Sequence, residues 1–340
     1  MLCVWIIRLV RSGVLGFVLC CLTVTSEAQV PPQVEQWFHR AMSRMDKGDH
    51  AGALDAFDEA IAAFTCPATQ SGCAGQVRLL DPRVANILNN RAAAHFLRGE
   101  YDAALNDLKR ALALAPHLAP AWHNRGNAWR ELGKPDEALT AYSRSLALDS
   151  RNELAWFGRA LVHADRQDWA AALRDFDKAI ALKKKFPEAW NGRGIALHRL
   201  QRLDEAFAAF EQALRLRPKF AAAYSNRGNV WRDRGELARA LRDHEQAVAL
   251  DPLAPGNWNN RANLRFQTGD AVGAESDYTQ ALALKPEALV YHNRALARQA
   301  QRQWQAALED YEQALSLQPQ AADVIKDRSA LVRRMQIEGR

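Results

Sequence analysis

The chain has 340 residues, 48% of them hydrophobic and 25% charged, a composition that excludes wholesale disorder. Its 45 basic and 39 acidic residues leave a net charge of +6. The two signs are interspersed, which argues against the one-sided basic surface of a nucleic-acid binder.

At the N-terminus, Arg8 and Arg11 precede an apolar stretch from Gly13 to Val24 that is too short to span a bilayer comfortably. Ser26-Glu27-Ala28 then supplies small residues at the two positions a signal peptidase reads. Residues 1–28 therefore read as a cleavable secretory signal, and the mature protein as periplasmic or extracellular. Trp5-Ile6-Ile7 lengthens the apolar region, so an uncleaved anchor, with membrane contact through it, is the alternative. Leu19 stands where a small residue would precede a lipid-modified cysteine, which argues against a lipoprotein. Cleavage removes Cys3, Cys20 and Cys21. It leaves Cys66 and Cys73, an even pair in an oxidising compartment, and a disulfide between them is the expectation. Two free thiols are the other reading; no second ligand pair is spaced for zinc.

From Val34 onward the chain repeats itself. Ala119-Pro-Ala-Trp-His-Asn-Arg-Gly-Asn returns as Ala221-Ala-Ala-Tyr-Ser-Asn-Arg-Gly-Asn, three periods of 34 residues later. Repeats start at Val34, Ala85, Ala119, Glu153, Pro187, Ala221, Pro255 and Ala288, and run to residue 321. The first carries an insertion over about 65–84 that holds Cys66 and Cys73; the one from Pro255 is a residue short.

The fourth column is large and mostly aromatic: Trp37, Leu88, Trp122, Trp156, Trp190, Tyr224, Trp258, Tyr291. The eighth is always Ala or Gly, the twentieth is always Ala, and the twenty-seventh is Ala except for Ser145. Small residues there let two antiparallel helices approach closely, while the aromatics fill the space between repeats. Gly48, Gly99, Gly133, Gly235 and Gly269 fall where the first helix turns into the second, and Pro116, Pro218, Pro252, Pro286 and Pro319 fall near the repeat ends. After the last repeat, Asp323 to Met335 reads as an amphipathic helix with Val324, Leu331 and Met335 on one face, part of a capping segment over 322–340.

These columns resemble the tetratricopeptide-repeat (TPR) consensus over about Val34 to Ala321. The resemblance implies an all-α, right-handed superhelical solenoid of antiparallel helix pairs, whose first helices line a concave groove. In that family, positions two, five, six, nine, twelve and thirteen tend to face the groove. The sixth position here holds Asn90, Asn124, Asn226, Asn260 and Asn293, and the ninth adds Asn127, Asn229 and Asn263. A primary amide both donates and accepts, so it can satisfy the peptide groups of an extended ligand without reading side chains. The series looks similar to the asparagine ladders that line the TPR region of O-linked N-acetylglucosamine transferase. These eight residues are the candidate ligand-binding set; amides bridging neighbouring helices inside the scaffold are the alternative. Gly158 and Gly192 break the series, which suggests two binding segments or a wider middle.

Position seven is Arg in every repeat, from Arg40 to Arg294. Position twenty-three supplies Asp107, Asp175, Asp243, Asp277 and Asp310, so Arg–Asp pairs between the two helices of a repeat are expected. Arg40, Arg125 and Arg193 lack that aspartate, and a ligand contact stays open at those three. Alternating charges at positions twelve and thirteen, such as Arg130, Glu131, Asp165, His198, Arg232 and Asp233, fit a polar peptide better than nucleic acid.

No His-Glu-x-x-His, Gly-x-Ser-x-Gly or Gly-rich phosphate loop occurs, and the nine histidines are scattered. The expectation is a non-catalytic scaffold that binds a protein or extended peptide, with no cofactor, no small-molecule substrate and no nucleic acid. A self-assembling envelope protein, or an accessory subunit of an envelope enzyme complex, is the alternative.

Overall fold

The computed structural model describes residues 7–9, 16–18, 32–63 and 82–338. The expected signal at 1–28, except for the backbone of 7–9 and 16–18, lies outside the described residues, as do Cys66 and Cys73. Residues 7–9 and 16–18 form a short antiparallel ribbon, β1 (Ile7–Leu9) and β2 (Gly16–Val18), with Ile7 opposite Val18 and Leu9 opposite Gly16.

All other described elements are helices. The first four repeats give α1 (Pro32–Lys47), α2 (His50–Ala62), α3 (Pro82–Leu97), α4 (Tyr101–Leu114), α5 (Ala119–Glu131), α6 (Pro135–Leu148), α7 (Glu153–Asp165) and α8 (Trp169–Leu182). The next four give α9 (Pro187–Arg199), α10 (Leu203–Leu216), α11 (Ala221–Asp233), α12 (Leu237–Leu250), α13 (Pro255–Gln267), α14 (Ala271–Leu284), α15 (Ala288–Ala300) and α16 (Trp304–Leu317), and α17 (Ala322–Glu338) follows. Odd-numbered helices are the first helix of a repeat, and each packs most extensively on the even-numbered helix after it. The chain forms two compact halves, residues 1–184 and 185–340.

Local sequence sets the helix ends. Asp49, Asp168 and Asp270 accept the backbone N–H three residues on, and Asn152 accepts from Leu154 and Ala155. Prolines at the first or second helical position open α5, α6, α9 and α13. The turn inside each repeat demands a left-handed residue at position fifteen. Gly48, Gly99, Gly133, Gly235 and Gly269 adopt φ between 67° and 88°. The three repeats without glycine put Gln167, Gln201 and Arg302 into the same conformation at φ of 60–61°. Register, and not only residue preference, thus dictates this turn, at a local cost of about 1 kcal/mol for each side chain so held.

The alanine columns lie where the helices meet. All eight alanines of column twenty are 0% exposed. Gly126, Gly194 and Gly228 of column eight let Tyr142, Phe210 and His244 press onto the helix backbone: a Cβ on Gly194 would stand 2.5 Å from the Phe210 ring. Ser145, the one polar residue of its column, is buried but donates to the Ala119 carbonyl at 2.9 Å.

In the first half a continuous core runs from Val34 through Phe38, Phe57, Ile87 and Leu108 to Ala121, followed by a cluster around Tyr142, Leu146 and Val162. In the second half, one cluster gathers around Tyr278 and another around Tyr311. The Tyr311 cluster takes in Val324, Leu331 and Met335, so α17 covers the apolar end of α16 with the face its periodicity marks.

Candidate functional site

Two side-chain series run through the repeats, and the structure assigns them different partners. The arginine column is largely consumed inside the scaffold. Arg91, Arg159, Arg227, Arg261 and Arg294 each present Nε and Nη2 to the two carboxylate oxygens of Asp107, Asp175, Asp243, Asp277 and Asp310, at 2.5–2.9 Å. All five expected pairs form, and all five aspartates are buried. Four of the five guanidinium groups also reach a polar residue at position twenty-five of the preceding repeat: Arg91 to Asp58, Arg159 to Ser143, Arg227 to Glu211, Arg294 to Thr279. The planar cation lies near the aromatic knob three residues earlier, as with Arg159 and Trp156 at 4.7 Å or Arg261 and Trp258 at 5.0 Å. The knobs of three repeats are themselves tied to the preceding loop, Trp122, Trp156 and Trp258 donating their indole N–H to the carbonyls of Pro116, Ser150 and Pro252. One helix turn therefore locks first helix, second helix and loop together.

The asparagine series runs along successive first helices, one set in each half. In the first half, Asn90, Asn124 and Asn127 are fully buried. Asn124 donates to Asn89 at 2.8 Å, Asn89 donates to Asn90 at 3.1 Å, and Tyr142 donates to Asn127 at 2.5 Å. β2 lies against α5, the helix that carries Asn124 and Asn127. In the second half, Asn226, Asn229, Asn260, Asn263 and Asn293 are only half-buried. Asn226 donates to Asn191 at 3.0 Å, Asn260 to Ser225 at 2.9 Å, and Asn293 to Asn263 at 3.2 Å. The sixth-position amides thus bridge one repeat to the previous one. Their acceptors Asn89, Asn191 and Ser225 occupy column five, a partner column that the reading of column six alone missed. An alternation of short polar residues there (Asn89, Asn191, Ser225, Asn259) is the signal that marks it.

The bridging is incomplete. The side-chain oxygens of Asn229 and Asn259 are buried and accept no hydrogen bond from the protein. At Asn229 the cause is a substitution within column twenty-four. Tyr142 and Tyr278 donate to Asn127 and Asn263 from that column, but α12 carries His244 there, and its shorter ring makes no such bond. His244 is 1% exposed with both ring nitrogens unpartnered, and burial, with Arg232 and Arg261 nearby, pulls its pKa down to about 4.

Positions twelve and thirteen also join neighbouring repeats. Arg130 donates to Asp165 at 2.8 Å, and His198 meets Asp233 at 2.6 Å. The His198 and Arg232 partners hold the Asp233 carboxyl below the usual carboxylate range against its partial burial. Among the described residues, no group of three or more His, Cys, Asp or Glu side chains is arranged to hold a metal ion, and no described helix is long and apolar enough to cross a membrane.

Comparison with known proteins bears on this architecture. Sequence models of the tetratricopeptide repeat match residues 83–151, 123–185, 163–221, 220–250 and 288–321, together more than half of the chain. No curated protein matches the sequence. Among solved structures, the fold is similar to that of a tetratricopeptide repeat protein from Parabacteroides merdae, at 24% identity and a TM-score of 0.59, covering 73% of this chain and 98% of that one. It is also similar to PilF of Pseudomonas aeruginosa, at 19% identity and 0.55, covering 62% and 97%. Yeast Tom70 aligns at 18% identity and 0.53, covering 93% and 67%. At these identities the likeness is one of fold. With eight helix pairs in the register that its columns dictate, the chain belongs to the tetratricopeptide-repeat family.

Proposed function

We propose that the protein is a non-catalytic scaffold that holds an extended segment of a partner protein along the first helices of its repeats. The observation that carries this reading is the half-exposed asparagine series of α11, α13 and α15. A primary amide offers two donors and an oxygen with two lone pairs, and each inter-repeat bridge uses only part of that capacity. Backbone N–H and C=O groups of an extended chain are the complementary set, and the paired arginines leave little net charge to select by sign.

The test is a peptide selected for binding by display and measured against Asn226→Ala/Asn260→Ala. Affinity is expected to drop roughly tenfold or more, about one uncompensated hydrogen bond per site, while the two lost inter-repeat bridges lower the melting temperature by only a few degrees. A protein that loses stability while each folded molecule binds as before would make the series purely structural.

We further propose that the scaffold works outside the cytoplasm. Arg8, Arg11, the apolar Gly13–Val24 run and the Ser26-Glu27-Ala28 site support this reading, and the even cysteine pair agrees with it. The intact mass of the exported protein is expected to correspond to a chain starting at Gln29, and to rise by one pair of hydrogens on reduction. A retained leader speaks against cleavage and for the uncleaved anchor, and cysteines that alkylate without reduction speak against the disulfide.

A further inference from the structure

The arginine column contains its own control. In five repeats the guanidinium faces a carboxylate at position twenty-three. In the repeat from Ala119 that position is Ala141, and among the described residues no carboxylate meets Arg125. The second usual partner is missing too. Position twenty-five of the preceding repeat, which supplies Asp58, Ser143, Glu211 or Thr279 to other arginines, is Lys109 here, a like charge. In place of the absent carboxylate there is a cavity of about 350 Å³ between α5 and α6, lined by Trp122, Arg125, Trp129 and Ala141. Arg125 itself is half-buried and lies 5.3 Å from the Trp122 ring centre.

We infer that this cavity is a second binding site, which takes the carboxylate of an aspartate or glutamate side chain from a partner peptide, with an adjoining apolar side chain between Trp122 and Trp129. The chemistry is copied from the molecule. A half-buried, permanently charged fork with no anion leaves a cost that the sister repeats remove with an aspartate, and a ligand carboxylate supplies the same two parallel bonds. The cavity exceeds what one carboxylate needs, and the two tryptophans that line it are suited to an apolar neighbour. Asp136, Glu137 and Thr140 also line it; all three are exposed, and Asp136 is paired with Arg166. The site shares no residue with the asparagine series, so the two stand or fall separately.

The probe is the blocked peptide Ac-Leu-Asp-Leu-NH2, titrated into the full chain while the indole N–H signals of Trp122 and Trp129 are followed by NMR. Both signals are expected to shift. Arg125→Gln is expected to weaken binding roughly tenfold or more, the loss of a charge-assisted pair, with Arg125→Lys intermediate. Ala141→Asp places the sister repeats' carboxylate in the cavity and is expected to exclude the peptide without lowering the melting temperature. The inference is overturned if Ac-Leu-Asn-Leu-NH2 binds equally well, or if Arg125→Gln, folded by circular dichroism, binds undiminished. Acetate competing at the peptide's own affinity overturns the assignment to a peptide side chain.

Discussion

Replacing Asp277 by Ala is expected to lower stability by about 2–4 kcal/mol, the range for removing one partner of a buried pair when the other keeps some solvent. Asp277 is 1% exposed and accepts Arg261 Nε and Nη2 at 2.7 Å each and Arg265 Nη1 at 2.9 Å. Its loss strands the Arg261 guanidinium against the first helix and leaves Arg265 with Asp270 at 3.8 Å, and neither can lose its proton to escape. In a repeat array each hairpin answers mainly to its neighbours, so the loss falls locally. Hydrogen exchange is expected to accelerate in α13 and α14 before it does in α9. A double change of Arg261 to Met and Asp277 to Leu, which removes the pair together, is expected to cost less than Asp277→Ala alone. A change of under about 0.5 kcal/mol for Asp277→Ala would show that the column does not brace the fold and return its arginines to the ligand question.

The second large effect is a dependence on acidity. His244 is held neutral by burial, with its pKa pulled to about 4, while an unfolded histidine titrates near 6.5. Between those values the unfolded chain binds a proton that the folded chain refuses. Its neutral form therefore supports full stability above about pH 6.5, and stability falls as the pH drops towards 4, by at most about 3 kcal/mol. His244→Tyr is expected to remove this slope. Tyrosine is what Tyr142 and Tyr278 offer at the same position, Gly228 beneath leaves room for the ring, and a hydroxyl there can donate to Asn229. The substitution is expected to add about 1 kcal/mol at neutral pH as well. Denaturation of both proteins from pH 4 to 7 checks it, and parallel curves would refute the assignment to His244.

How far the candidate site can be read from sequence differs between the two columns. The Arg–Asp pairing was legible because both partners sit in one repeat, 16 residues apart, and return with the period. Arg40, Arg125 and Arg193 stood out for the same reason, in the three repeats that break the pairing. The asparagine partners were not legible in the same way. Asn124 reaches Asn89 and Asn226 reaches Asn191, each 35 residues back, one more than the repeat length. A search within columns misses a bond that steps from one column to the next. Nor does the sequence show that Asn90, Asn124 and Asn127 are buried while Asn226 and Asn260 keep a half-exposed face.

The sequence by itself determined the repeat, the two helices within it, the turn at position fifteen and the cap, because each follows from local spacing: small residues where helices touch, a left-handed residue where they reverse, proline where they end. That held even where glycine is absent and Gln167, Gln201 and Arg302 take the strained conformation. Only the tertiary structure decided which polar side chains are satisfied. Whether an amide or a guanidinium is consumed depends on how far a neighbour on another helix reaches. One ring shortened from tyrosine to His244 opens Asn229, and one aspartate shortened to Ala141 leaves Arg125 facing a cavity. Periodicity specifies where side chains stand; satisfaction of their polar atoms is a property of packed pairs.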